Sequence, residues 1–347
     1  MKQLYFLTTV FFLTTSLTAQ EIDLVEDLEV PQGLVLNGSY LYFAEINEGS
    51  IYKININDET PIPTVVVSGL DNPHELTFSG DYLYIAEVYE GTISKINITD
   101  ANPTPVDVVS GLTRPIALAF KGNDLYIAEL TGYKISKIDV TDTNPTPTDV
   151  VTDLERPNEL VFNGDDLYFS QYYGNKVSKI DITDESPTPI DILTGIDNPS
   201  GLALNENDLY IADSGSSKIS KIDISDVSPT AIEVLTIHNI RDILVENNIL
   251  YTLTTSTIST LDINPLSSGE ELYAESAKPR ISPNPARTSI QVSELTTTTN
   301  YTIHTVLGTL LKSGNVSNNE EIDIRNLTNG IYFITFGNEY TLKFLKQ

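Results

Sequence analysis

The sequence predicts an all-β protein, a six-bladed β-propeller followed by a small β-sandwich. Two observations carry the propeller. The pair Leu-Tyr recurs every 42 residues, at Leu41-Tyr42, Leu83-Tyr84, Leu125-Tyr126, Leu167-Tyr168 and Leu209-Tyr210. Each copy also holds four short runs of alternating residues rich in Val, Ile and Tyr, split by turn residues, and four strands in about 42 residues is the size of one blade. A third observation concerns the ends. The sixth copy, shortened by one residue near Ile237, stops after "TISTLDI" without its fourth strand. The segment "IDLVEDL", Ile22 to Leu28, aligns with the fourth strand of other copies, "VDVVSGL", Val106 to Leu112. The first strand of the mature chain is therefore expected to close the last blade and cover its edges.

In the second copy the four runs read "ELTF", "YLYIAE", "TISKINI" and "PVDVV", separated by "SGD", "VYEG" and "TDANPT". Helical spacing is absent, and the β-branched and aromatic content suits strands. A proline column, Pro31, Pro73, Pro115, Pro157 and Pro199, opens each copy.

Residues 1–20 read as a signal peptide. Lys2 supplies the charge, "LYFLTTVFFLTTSL" is an apolar core too short to span a bilayer, and "LTAQ" ends in small residues. The propeller is expected over 21–263, a linker over 264–280, and the tail domain over 281–347. The tail alternates apolar and polar residues over several short runs with Gly and Asn turns, which predicts a sandwich.

The chain carries a net charge of −28, unevenly spread: 13 basic and 43 acidic residues precede Lys278, against 7 and 5 from there on. An acidic body of this kind disfavours nucleic acid and anionic membrane surfaces. The chain has no Cys, which excludes disulfides, thiol catalysis and thiolate metal sites. No apolar run after the signal peptide is long enough for a membrane span.

Two resemblances bear on family. The phrase "NPSGLALNENDLYIADSGSSKI", Asn198 to Ile219, resembles an NHL repeat, which implies a propeller akin to the gluconolactonase type over roughly residues 22–263. The pieces "ISPNPARTSI", "YTIHTVLGTLLKSG", "LTNGIYFITF" and "YTLKFLKQ" resemble, in order and place, the C-terminal sorting domain of the type IX secretion system of Bacteroidetes. That likeness implies the secretion machinery as a partner, and a final location outside the cell or on the outer-membrane surface.

Function is expected where the copies differ. After the proline, one column reads Gln32, His74, Ile116, Asn158, Ser200, Arg241. The next reads Gly33, Glu75, Ala117, Glu159, Gly201, Asp242. The end of the second strand reads Glu45, Glu87, Glu129, Gln171, Asp213, Thr254. Loops at these points open on one face of a propeller around its channel. Glu75, Glu159 and Asp242 stand on alternate blades with small residues between, so these carboxylates either hold protons at raised pKa or seat a cation, for which calcium suits an oxygen shell. The third column either completes such a shell or anchors loops by accepting backbone N–H bonds. The propeller's three arginines, Arg114, Arg156 and Arg241, lie in the same loops, to pair with those acids or with a ligand. Tyr89, Tyr172 and Tyr173 lie on the loop after the second strand and offer stacking surfaces.

The expected ligand surface is thus Gln32, His74, Glu75, Arg114, Asn158, Glu159, Arg241, Asp242, Tyr89 and Tyr173. The ligand is a glycan, a peptide or a small molecule. The alternative is a metal-dependent hydrolase, lactonase or lyase of the gluconolactonase type. There "RPNEL", Arg156 to Leu160, resembles that family's Arg-Pro-Asn-Gly-Leu and makes Asn158 the matching metal ligand, although Ser200 stands where the resemblance calls for Asp. Of three histidines only His74 reaches the mouth, and no Ser sits in a nucleophile-elbow setting.

On the opposite face Asp58, Asp100, Asp142, Asp184 and Asp226 are expected to close Asx-type turns. The lysine column Lys53, Lys95, Lys137, Lys179 and Lys221 is expected to pack its stems between blades and offset acids.

Overall fold

The structure is a computed structural model that describes residues 21–264, 280–282, 286–293, 295, 298–305, 309–336 and 340–346. The expected signal peptide and most of the expected linker lie outside the described residues. The chain divides into two compact units, Met1–Glu271 and Leu272–Gln347.

The first unit contains six four-stranded antiparallel sheets. Five are contiguous in sequence, over 31–68, 73–109, 115–151, 157–194 and 199–236. In the sixth, Asp242–Glu246, Ile249–Leu253 and Ile258–Asp262 are joined by Ile22–Val25, which pairs antiparallel with Ile258–Asp262. The N-terminal strand thus completes the last blade, as the sequence register implies. Ser259 Oγ donates to Asp23 Oδ1 at 2.7 Å, and Val25 is buried against Leu253 and Ile258 in the same core. The innermost strands of successive sheets are neighbours, and that of the first sheet also lies beside that of the sixth.

The cores lie between sheets, and the Leu-Tyr pair builds them. Leu41, Leu83, Leu125, Leu167 and Leu209 are fully buried. Successive side chains of a strand point to opposite faces, so the tyrosine meets the next blade. Tyr42 packs on Phe78, Tyr84 on Phe120 and Tyr126 on Phe162, with centroids 5.2, 5.0 and 5.1 Å apart and rings near perpendicular. Edge-to-face pairs of this kind contribute about 0.5–1.5 kcal/mol each beyond their buried area.

The ammonium groups of the lysine column find their partners within their own sheets and offset acids as expected. Where the residue before Leu-Tyr is Asp, the lysine pairs with it: Lys137–Asp124, Lys179–Asp166 and Lys221–Asp208, each at 2.7 Å. Where that residue is Tyr, the ammonium sits over the ring, Lys53 on Tyr40 at 4.7 Å and Lys95 on Tyr82 at 4.9 Å. The turns on that face differ from expectation. The Asx acceptors are Asn55, Asn97, Asp139, Asp181 and Asp223, each taking the amide two residues on. Asp58, Asp100, Asp142, Asp184 and Asp226 instead donate their own amides back to the carbonyls of those acceptors.

The second unit has a three-stranded sheet, Arg280–Ser282, Ser289–Ser293 and Glu320–Asp323, and a four-stranded sheet, Leu310–Val316, Thr299–Thr305, Gly330–Phe336 and Tyr340–Lys346. Ile290, Val292 and Ile322 of one sheet share a core with Ile303, Ile334 and Phe344 of the other, which makes the unit a sandwich. Among the described residues no helix is long and apolar enough to cross a membrane.

Candidate functional site

One backbone device builds the mouth. In each of the first five sheets the innermost strand slips register just after its proline: between Gln32 and Leu34, Pro73 and Leu76, Pro115 and Ala117, Pro157 and Leu160, and Pro199 and Gly201. A bulge lifts residues out of the ladder and re-aims them. In the fourth sheet it frees Asn158 and Glu159, and the Glu159 amide donates to Ser170 Oγ at 3.0 Å instead of to a strand partner. The sixth sheet has no slip there; Asp242 pairs directly with Leu253.

Freed residues of the second and fourth sheets meet in-register residues of the first and sixth. A cavity of about 340 Å³ is lined by Gln32, His74, Glu75, Asn158, Glu159, Arg241 and Asp242, all expected from the sequence. Gly33, Tyr172, Ser200, Ser214, Asn239, Ile240 and Thr255 complete it. Three buried side-chain atoms in this lining have no hydrogen-bond partner: His74 Nδ1, Ser200 Oγ and Arg241 Nε. Buried polar atoms are ordinarily paired, so this concentration in one cavity marks it out.

The acids that face the cavity are held as weak acids. Burial raises Glu75 well above the usual carboxylate range, and Glu159 and Asp242 add to the rise. Burial and Asp242 do the same to Glu159. Asp242 is pushed up to about 6 by burial, against the opposing amides of Ile243 and Leu34. Glu75 is 7% exposed and Asp242 6%. His74 moves the other way, to about 4, through burial and the positive charges of Arg241 and Arg114, against a hydrogen bond to the Ile116 backbone. At neutral pH the imidazole is uncharged.

The third column belongs to the scaffold. Glu45 accepts the Val30 amide at 3.0 Å, Glu87 the Asp71 amide at 2.8 Å, and Gln171 the Glu155 amide at 2.8 Å. Asp213 accepts the Asp197 and Ser216 amides, each at 3.1 Å. Glu129 is the most fully used. Its Oε2 takes the amide and hydroxyl of Thr113 at 2.8 and 2.7 Å, and its Oε1 takes Ser136 Oγ at 2.7 Å. Burial would raise Glu129, but these donors outweigh it and lower its pKa. These side chains clamp the loop that precedes the innermost strand in each of the first five sheets, with one oxygen of each committed to a backbone amide, while Glu45 Oε1 is buried without a partner. Among the described residues no three His, Asp or Glu side chains are grouped to hold a metal ion.

Gly33 and Gly201 do not leave open space between the acids. A Cβ on Gly33 would lie 2.3 Å from the His74 carbonyl oxygen, and one on Gly201 would lie 3.0 Å from Asp242 Oδ1. The small residues let neighbouring inner strands approach.

Arg114, Arg156, Tyr89 and Tyr173 lie outside the cavity lining, on its rim. Arg114 and Arg156 do not pair with the three acids. Arg114 lies over the Tyr89 ring, Cζ to centroid 5.6 Å, and Arg156 over Tyr173 at 4.4 Å and Tyr172 at 5.6 Å. Both arginines have left-handed backbones, φ 56° and 65°, an uncommon conformation for a residue with a Cβ. Tyr172 joins the lining as one of the expected stacking surfaces, whereas Ser200, Ser214, Asn239, Ile240 and Thr255 are lining residues that the sequence did not single out as ligand groups. Ser200 occupied a column already marked as variable, which is the signal that could have found it.

Residues 280–347 match the family described as the secretion system C-terminal sorting domain. The protein is therefore an exported β-propeller carrying a type IX sorting domain, destined for the medium or the outer-membrane surface. No curated protein matches the chain in sequence. Similar solved structures include a gluconolactonase from Xanthomonas campestris, 14% identical with a TM-score of 0.60, covering 70% of this chain and 89% of that one. A virginiamycin B lyase from Staphylococcus aureus is 17% identical with a TM-score of 0.51, covering 79% and 95%. An auxiliary nutrient binding protein from Bacteroides thetaiotaomicron is 12% identical with a TM-score of 0.57, covering 71% and 77%. At these identities the likeness shows the propeller fold alone.

Proposed function

We propose that the protein is an exported binding module whose ligand seats in the mouth cavity. The observation that carries this reading is one cavity of about 340 Å³ among whose lining residues three, His74, Ser200 and Arg241, each carry a buried polar atom without a partner: Nδ1, Oγ and Nε. Leaving a buried polar atom unpaired costs about 1–3 kcal/mol, which a ligand supplying the missing partners recovers on binding. The scaffold favours binding of a preformed kind, because the carboxylate clamps fix the loops before any ligand arrives.

The test is a thermal-shift screen of the full mature chain against a chemically mixed metabolite library. At least one compound is expected to raise the Tm, and Arg241→Ala or Asn158→Ala to abolish the rise. A screen without any stabilising compound, or with stabilisation indifferent to both variants, overturns the reading.

A metal-dependent hydrolase or lyase is the second reading. Asn158 does line the cavity, as the resemblance to gluconolactonase-type propellers requires. Its Nδ2 donates to the Ser200 carbonyl oxygen at 2.6 Å, which orients the amide and leaves its oxygen as the atom able to ligate a metal. Turnover of a screened compound, lost on adding a chelator, would favour this reading over simple binding.

A further inference from the structure

We infer that the ligand is an oligosaccharide, with one sugar ring in the mouth cavity and the following rings lying on the tyrosines of the rim. The inference rests on the reading of the mouth as a binding site and adds the chemistry of what binds.

The first support is the complement of the unpartnered atoms. His74 is neutral and its ring also meets the Ile116 backbone, so Nδ1 is an acceptor that needs a donor. Arg241 Nε is a donor that needs an acceptor. Ser200 Oγ, in a side chain 8% exposed, takes either. An ammonium group donates only, so it leaves Arg241 unpaired and is repelled by it. A carboxylate accepts only, so it leaves His74 unpaired. A hydroxyl does both, and neighbouring hydroxyls on a ring do so at several points. Peptide ligands are usually read through apolar side-chain pockets or an added strand, and this lining is polar apart from Ile240 and the Tyr172 ring. The volume of about 340 Å³ lies at the small end of the range of ligand pockets, roughly 300–1,000 Å³, which suits a single sugar ring.

The second support is independent and lies on the rim. Tyr172 lines the cavity, and its ring centroid is 5.5 Å from that of Tyr173, which is 64% exposed. The pair forms a continuous aromatic path from the cavity to solvent. It is held in place before binding. The Tyr172 amide donates to the Arg156 carbonyl at 2.9 Å, the Tyr173 amide to the Glu155 carbonyl at 3.3 Å, and the Arg156 guanidinium covers both rings. Tyr89, 69% exposed and stacked on Arg114, repeats the device two blades away. The C–H face of a sugar ring carries slight positive charge and suits the negative face of an aromatic ring. A rigid exposed tyrosine supplies such a face at low entropic cost.

The experiment uses the full mature chain on an array of neutral, acidic and amino oligosaccharides. Calorimetry with the mono-, di- and trisaccharide of any hit follows. Binding is expected to tighten about fivefold or more from mono- to trisaccharide. Tyr173→Ala should remove that gain, so that the trisaccharide binds no more tightly than the monosaccharide, while Tyr173→Phe should keep it. Arg241→Ala should weaken both about tenfold or more, since it removes the partner of a buried ligand oxygen. An empty array, or an affinity indifferent to chain length and to Tyr173→Ala, overturns the inference. If the metabolite screen instead yields an amine, a carboxylate or a peptide whose binding depends on Arg241, the binding reading stands and the oligosaccharide falls.

Discussion

The Leu34 amide donates to Asp242 Oδ2 at 2.9 Å, a bond between residues 208 apart in sequence. It ties the innermost strand of the first sheet to that of the sixth, and Asp242 Oδ1 at the same time accepts the Ile243 amide at 2.7 Å. One side chain thus does two things: it holds the ends of the propeller together and it faces the cavity. Asp242→Ala leaves two buried amides without an acceptor, at a cost of about 1–3 kcal/mol each. Asp242→Asn keeps one acceptor oxygen. Thermal unfolding at pH 5, where repulsion among the mouth acids is weakest, is expected to show a clear loss for Ala and a smaller one for Asn. Equal Tm values for wild type and Asp242→Ala would mean that the bond contributes nothing.

The N-terminal strand is the second tie. Deleting residues 21–28 removes the outer strand of the sixth sheet, the buried Val25 and the Leu28 amide bond to the Ser256 carbonyl. Val25 alone stands for about 1.5–3 kcal/mol of burial. For a domain of this size each kcal/mol moves the Tm by about 2–4 °C. A fall of at least about 5 °C is expected, with self-association through the opened edge on size-exclusion chromatography.

Gly33 separates backbone strain from close packing. Gly33 and Gly38 both have φ near +60°, but a Cβ on Gly33 would meet the His74 carbonyl oxygen at 2.3 Å while one on Gly38 meets nothing within 4 Å. Gly38→Ala should cost about 1–2 kcal/mol for the left-handed backbone alone. Gly33→Ala should cost distinctly more, because the first or the second sheet must shift. Similar losses for the two, measured by denaturant unfolding, would show that the approach of the sheets is easily relaxed.

The blades were legible because their determinants are local and repeated. Leu-Tyr, the proline column and the alternating runs each act within one copy, and stacking the copies exposes them. The missing fourth strand of the last blade, set beside Ile22 to Leu28, was legible for the same reason. What stayed hidden depends on distance between copies. The bulges carry no shared residue: the residues left out of the ladder are Gly33, His74 with Glu75, Ile116, Asn158 with Glu159, and Ser200. The glutamate column could be read as a cation shell until its bonds to amides 15 or 16 residues earlier were seen. The turn acceptors form a column of mixed Asn and Asp, Asn55 to Asp223, less uniform than the all-Asp column from Asp58 to Asp226 that drew the expectation, and the direction of the bond tells them apart. Arg114 and Arg156 stood near both acids and tyrosines in sequence, and their choice of the rings is a three-dimensional fact.

Export should separate from folding. The sorting domain and the propeller are compact units with their own cores. A chain truncated at residue 272 is expected to melt with the propeller's own Tm and to remain in the periplasm of its bacterium. Immunoblots of cell fractions check this, and wild-type amounts of the truncated chain in the medium would contradict the role of residues 280–347.

The acids of the mouth set the sign of the pH response. Glu75 and Glu159 are raised well above 4.5, and Asp242 from 3.8 to about 6. A raised folded pKa means that the folded state binds more protons than the unfolded one between the two values. Stability from these groups is therefore fully present below about pH 4 and is lost as pH rises through each folded pKa. His74, lowered from 6.5 to about 4, acts in the opposite sense, adding stability above 6.5 and losing it as pH falls towards 4. As pH rises past 6.5 the unfolded-state His74 loses its remaining protons, and the slope increasingly belongs to the carboxyls. The Tm is expected to fall between pH 6.5 and 8. The double variant Glu75→Gln with Glu159→Gln should flatten that slope and exceed the wild type at pH 8, because it removes like charges buried side by side. Millimolar calcium is expected to leave the wild-type Tm unchanged, since one oxygen of each neighbouring glutamate already accepts a backbone amide and holds that side chain against its own loop. A calcium-dependent rise at pH 8 that disappears in the double variant would instead assign Glu75, Glu159 and Asp242 to a bound cation.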